Sequence, residues 1–130
     1  MKVIHKAGKR KTAIARATMK AGKGVVRINY TTLENYEPEI AKLKITEPLL
    51  IAGKMSEKYN FQINVRGRGW QSQAEAARLA IARCLMEADG KLKDKFLEYD
   101  RNLVVADTRR KEVCKPNDSK ARAKRQKSYR

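Results

Sequence analysis

No acidic residue occurs before Glu34. Residues 1–27 hold nine Lys or Arg with no carboxylate to balance them, whereas residues 28–106 hold twelve against eleven Asp or Glu. Residues 107–130 return to imbalance, with ten against three. The formal charge of +17 on 130 residues therefore lies almost wholly at the two ends. Such a partition predicts one balanced globular segment with cationic extremities. A chain that repels itself this strongly needs a polyanionic counterion, and nucleic acid is the default candidate.

The neutral segment must supply the core. Aromatic residues are only 6% of the chain against 42% hydrophobic residues in all, so the core is expected to consist mainly of Ala, Val, Ile and Leu. The length suits one domain with an attached tail. Residues 1–106 are expected to form a globular α/β core that includes the basic N-terminal segment, and residues 107–130 an extended basic C-terminal tail. No apolar run approaches the roughly 18 residues that cross a bilayer. The first residues, MKVIHKAGKRK, carry charge without the apolar stretch of a secretory signal. Cys84 and Cys114 form no Cys-x-x-Cys pair and predict neither a zinc site nor a disulfide framework. A cytoplasmic, reducing compartment is the expectation.

Residues 12–20 alternate weakly and read as a strand, and Val25 to Asn29 as a second, with AGKG between them predicting a hairpin. Thr31 and Glu34 have capping-box spacing, which predicts a helical turn. Pro38 suits the first turn of a helix containing Ile40 and Leu43. Pro48 is expected to break that helix, with Thr46 capping a restarted piece that ends near Gly53. YNFQINVR, residues 59–66, alternates strictly and is the clearest strand. After the Gly67-Arg68-Gly69 turn, Ser72 and Glu75 are placed to open the clearest helix, running to about Asp89. Its expected buried stripe is Ala74, Ala77, Ile81, Cys84 and Leu85, and a following helix turns Leu92, Phe96 and Leu97 inward. From Asp107 the pattern disappears. Half of the last twelve residues are Lys or Arg and none is acidic. Such a segment cannot bury enough apolar surface to offset its ordering entropy.

Gly8-Lys9-Arg10-Lys11-Thr12 reads as a phosphate clamp, with Lys as point charge and Arg as bidentate fork. An isolated Lys-Arg-Lys is more often a solvated loop, but nine cations without an acid reverse that preference. A Walker A loop fails here, because Val3 stands where the first glycine belongs and Arg10-Lys11 precede Thr12. Gly67-x-Gly69-x-x-Ser72 resembles a damaged dinucleotide fingerprint without its third glycine. A helix start still attracts phosphate, and Arg66 and Arg68 flank it, so RNA is the better guest. The alternative is a tight connection with two exposed arginines. His5 reads as a surface imidazole and Cys84 as core. Trp70 stacks on a base or, more commonly at a helix start, packs on the adjoining strand. No nucleophile-base-orienter set is visible, so neither enzymatic activity, nor a cofactor, nor a metal is expected. The candidate RNA-binding residues are Lys9, Arg10, Lys11, Arg16, Arg66 and Arg68 in the core. In the tail they are Arg109, Arg110, Lys111, Lys115, Lys120, Arg122, Lys124 and Arg125. The rival readings are a DNA-packaging protein and a nucleotide-dependent enzyme using the Gly67 turn.

GKRKTAIARA (Gly8 to Ala17), VRGRGWQSQAEAARLAIARCL (Val65 to Leu85), the DTRRKE run from Asp107 and Lys115-Pro116 together resemble the universal ribosomal protein nine family of the small subunit. The ending KSYR is similar to the archaeal and eukaryotic cytosolic branches. Arg68 stands where the family usually has glycine, and Ser72 where bacterial members often do. The resemblance implies an α/β (α+β) domain of the ribosomal protein five-like, left-handed βαβ type: a mixed sheet with helices on one face and an extended basic C-terminal tail. It implies small-subunit ribosomal RNA and neighbouring ribosomal proteins of the head as partners, and no membrane. It further implies that the tail reaches the peptidyl-site transfer RNA, a role that falls on Arg130 with Lys127, Ser128 and Tyr129.

Overall fold

The computed structural model describes residues 3–117, 120–124, 126, 128 and 129. Its sheet has five strands: β1 (Ile4–Arg10), β2 (Ala13–Ala21), β3 (Val26–Ile28), β4 (Thr31–Thr32) and β5 (Tyr59–Arg66). They lie in the order β1-β2-β5-β3-β4. β3 runs parallel to β5 and every other pair is antiparallel. Three helices complete the domain: α1 (Glu39–Ala52), α2 (Trp70–Ala88) and α3 (Leu92–Tyr99). The architecture is the expected α+β one, a mixed sheet with its helices on one face.

Period-two alternation decides which face is covered. Ala13, Ala15, Ala17 and Met19 of β2, Phe61, Ile63 and Val65 of β5, and Val26 and Ile28 of β3 all turn inward and are buried. α2 lies across β1 and β2 on that face, and α1 packs against α2. The expected stripe of Ala74, Ala77, Ile81, Cys84 and Leu85 is buried throughout, and Ala76, Leu79, Ala80 and Ala82 join it. α2 is thus covered on more than one side, and small residues let it approach the sheet closely. The Cys84 thiol, pushed up to about 11 by burial, belongs to this core.

Several expectations need correction. The hairpin about AGKG does not form. β2 instead turns back on β1 through Lys11-Thr12, and β5 enters between β2 and β3. The long, alternating β5 matches eight residues of β2, more ladder than the three-residue β3 can offer. β1 itself was not expected from the sequence. Pro48 does not break α1, which continues to Ala52, and Thr46 caps nothing: its hydroxyl donates to the Lys42 carbonyl at 2.8 Å. A helix-interior proline costs about 3 kcal/mol. Here its ring is fully buried and packs in the core beside Ala41 and Ile45, which offsets that cost. Thr31 lies in β4, and a short 3₁₀ turn follows at Leu33–Asn35 without a side-chain cap. Ser72 is inside α2, whose N-cap is Gly69. In α3, Leu92 and Phe96 are buried but Leu97 is exposed.

Among the described residues, no helix covers the opposite face of the sheet. Register places His5 and Lys9 of β1, Arg16, Thr18 and Lys20 of β2, Gln62, Asn64 and Arg66 of β5, and Arg27 of β3 on it.

Candidate nucleic-acid interface

Two turns and one extended segment meet at one end of the sheet. The first is Lys11-Thr12 between β1 and β2, with Lys11 in the left-handed region at φ 52°. The second is Gly67-Arg68-Gly69 between β5 and α2. Gly67 has φ 126°, and a Cβ there would lie 2.5 Å from the Ala13 Cα, so only glycine brings this turn against the first. The Gln73 side-chain amide holds it by donating to the Gly67 carbonyl at 2.6 Å. The third segment is the root of the tail. Lys9, Lys11, Thr12, Ile14, Arg109, Arg110 and Lys111 line an open cleft of about 770 Å³ there. Two cation clusters about a hundred residues apart in sequence therefore share one surface, and its lining includes no carboxylate.

A chain of ion pairs fixes this arrangement. The Arg10 guanidinium reaches Glu75 of α2 at 2.7 Å and Asp107 at 3.2 Å. Lys44 of α1 joins Glu75 at 3.2 Å. Asp107 also accepts the Arg109 backbone N–H at 2.8 Å and its side chain at 2.7 Å. The Arg109 hydrogen bonds, first through its side chain, hold the Asp107 carboxyl well below the ordinary range. For Glu75, burial acts upward, but the hydrogen bonds and charges of Arg10 and Lys44 outweigh it and lower the carboxyl. Arg10 is therefore turned inward as the tie between β1, α2 and the tail root. Lys9 and Lys11, its neighbours, are left facing the cleft.

Two further arginines act within the fold. Arg78 pairs with Glu47 of α1 at 2.6 Å and with Asp100 at 2.9 Å, joining α1, α2 and the end of α3. Arg83 donates to the Ala7 carbonyl on the edge strand at 2.8 Å.

The profile of the family described as "Ribosomal protein S9/S16" matches residues 8–130. The chain belongs to the ribosomal protein S9 family. It is 51% identical over 134 aligned positions to the protein called small ribosomal subunit protein uS9 in each of three strains of Methanococcus maripaludis, with all of both chains covered. Both S9-like signature segments now have a physical place. Gly8 to Ala17 is the β1–β2 hairpin, and Val65 to Leu85 is the end of β5 with most of α2. They meet where Gly8 lies under Ala76, and again where Gly67 lies against Ala13.

Of the candidate residues, Lys11, Arg16, Arg66, Arg68, Arg109, Arg110 and Lys111 are exposed, and Lys9 is half-buried. Arg16 and Arg66 lie on the open sheet face, and Arg68 at the helix-start turn. Farther along the tail, Lys115 donates to the Ala123 carbonyl at 3.0 Å and Arg122 pairs with Glu112, while Lys120 and Lys124 are exposed. Ser128 and Tyr129 are exposed. Arg125, Lys127 and Arg130 lie outside the described residues. Trp70 is 44% exposed, so its ring is neither fully packed nor free. No helix among the described residues is long and apolar enough to cross a membrane. Sequence reasoning missed Asp107 as the tail anchor. Its one visible signal was an acid standing alone before the Thr-Arg-Arg-Lys run.

Proposed function

We propose that this S9-family chain is a structural, non-enzymatic constituent of the small ribosomal subunit in the cytoplasm, binding small-subunit ribosomal RNA in the head beside neighbouring ribosomal proteins. The convergence of Lys9, Lys11, Arg109, Arg110 and Lys111 on one cleft carries this reading. Cations collected there neutralise several phosphates at once, and phosphate contacts position a protein without reading sequence. Arg66, Arg68 and the start of α2 extend the surface, since helix N-terminal N–H groups attract phosphate. Arg10 contributes by holding the tail root in place, and Arg16 lies on the adjoining sheet face. Beyond the root, Lys115, Lys120, Arg122, Lys124 and Arg125 continue along the RNA. Residues 107–130 act as an extended unit whose root is tied to the core through Asp107 and whose remainder orders on binding. Lys127, Ser128, Tyr129 and Arg130 reach the peptidyl-site transfer RNA, with the terminal guanidinium as the principal contact. This last assignment rests on the family resemblance of the KSYR ending.

The protein is expected to sediment with small ribosomal particles at moderate salt and to leave them at high salt, because phosphate-mediated affinity falls steeply with ionic strength. Retention independent of salt would contradict the reading. Deleting Arg130 is expected to weaken peptidyl-site transfer RNA binding about tenfold while incorporation into particles stays near wild type. Equal loss of both would reduce Arg130 to an assembly contact.

A further inference from the structure

We infer that Tyr30, with Arg16 and Arg66, forms a stacking site for an unpaired nucleotide of RNA on the open face of the sheet; this rests on the RNA-binding reading above and gives that sheet face a separate task. Tyr30 sits at the tip of the two-residue β3–β4 connection and is fully exposed. The connection is firmly held. Asn29 is in the left-handed region at φ 55°. Its backbone N–H donates to the Ile63 carbonyl at 2.7 Å, and its side-chain oxygen accepts the Val65 N–H at 2.9 Å. A large aromatic ring is thus presented to solvent on a turn whose backbone is braced, so the main chain there has little ordering left to lose on binding.

The ring borders a shallow concavity of about 550 Å³ lined by Ile14, Arg16, Asn29, Asn64 and Arg66, a size within the usual range for small-ligand sites. Ile14 is 38% exposed and offers an apolar floor. Asn64 lies directly opposite Arg16 across the β2–β5 ladder, and Arg66 opposite Ile14. The outward positions of β1, β2, β3 and β5 hold Lys9, Arg16, Lys20, Arg27 and Arg66, with no Asp or Glu among them. The face is therefore a positive, amide-bearing surface with one projecting aromatic.

Each component matches a part of a nucleotide. The guanidinium groups of Arg16 and Arg66 take the phosphates. The Tyr30 ring stacks on the base, and the Asn64 amide can both donate to and accept from a base edge. Single-stranded segments satisfy this geometry, because their bases are free to leave the stack, whereas a paired helix offers phosphates alone. An acidic protein segment would satisfy the charges, but its binding would not depend on bases, and poly-glutamate would stand in for it.

The test uses the full chain and three probes of equal length: a single-stranded oligoribonucleotide, the same strand with abasic positions, and a blunt-ended RNA duplex with no loop. Stacking losses per base predict that Tyr30→Ala weakens single-strand binding about tenfold. Tyr30→Phe should bind as wild type, because the ring and not the hydroxyl does the stacking. The wild type should lose a similar factor on the abasic strand, and Tyr30→Ala should no longer distinguish the two strands. Affinity for the duplex and the melting temperature should not change, since a duplex frees no base for stacking and the Tyr30 ring is fully exposed. Unchanged single-strand binding by Tyr30→Ala, or poly-glutamate competing as well as the oligonucleotide, would overturn the inference and leave the cleft reading intact. Failure of the wild type to bind any RNA would overturn both.

Discussion

Replacing Gly8 by alanine is expected to lower unfolding free energy by about 3 kcal/mol, at the upper end of the usual cost of overpacking. A Cβ at Gly8 would lie 2.1 Å from the Ala76 carbonyl oxygen and 2.9 Å from the Ala80 nitrogen. Both are backbone atoms of α2, so no side-chain rotation relieves the collision. The helix cannot back away cheaply either. Arg83 ties it to the Ala7 carbonyl on one side of Gly8, and Glu75 ties it to Arg10 on the other. β1 would have to leave the α2 surface, carrying the Lys11 turn with it. Since domains are stable by only about 5 to 15 kcal/mol, denaturant melts should show a clear fall or no folded protein at all. Gly90→Ala is the control: nothing lies within 4 Å of its added carbon, and its backbone is outside the left-handed region. It should change stability by less than about 1 kcal/mol. Equal effects at the two glycines would mean that β1 and α2 are not in close contact.

Removing residues 110–130 is expected to have the largest effect on RNA association and almost none on the fold. The deletion takes away nine Lys or Arg and two acids, and lowers the net charge from +17 to +10. It retains Asp107 and Arg109, so the Arg10–Asp107 and Arg109–Asp107 pairs survive. No described residue beyond Arg109 is buried, so the melting temperature should be unchanged. For about six lost phosphate contacts, the plot of log affinity against log salt should become shallower by about 4 to 5. At physiological ionic strength that corresponds to a loss on the order of a hundredfold or more. A truncated chain that melts early would place the domain boundary farther along the chain than residue 107.

How much of this was legible in the sequence follows from which interactions are local. β5 could be read directly, because Tyr59 to Arg66 alternates without interruption and only one face of it is covered. The α2 stripe could be read because a 3.6-residue period survives the crowding of alanines. β1 could not. Its inward positions are Ile4, Lys6, Gly8 and Arg10, and three of these lack the apolar character that marks a strand. Each departs for a tertiary reason. Lys6 meets Glu87, Gly8 makes room for α2, and Arg10 reaches Glu75 and Asp107. Pro48 misled because propensity favours a break, and burial overrides it. The charge partition pointed to a nucleic acid as partner, but not that the two ends share a surface. That depends on antiparallel pairing of β1 with β2 and on an ion pair between residues 10 and 107, neither of which a periodic pattern records.

The shared surface is tested most directly by comparing two fourfold Lys/Arg→Gln variants for salt-dependent binding to small-subunit ribosomal RNA. One changes Lys9, Lys11, Arg110 and Lys111, which line the cleft. The other changes Lys54, Lys58, Lys93 and Lys95, which are exposed and absent from the cleft lining. Both variants have a net charge of +13 in place of +17. The cleft variant should flatten the log–log salt plot by about 3, from four lost phosphate contacts, while the control variant binds as the wild type does. Equal flattening in both would show that total charge, and not the convergence of the two ends, holds the RNA.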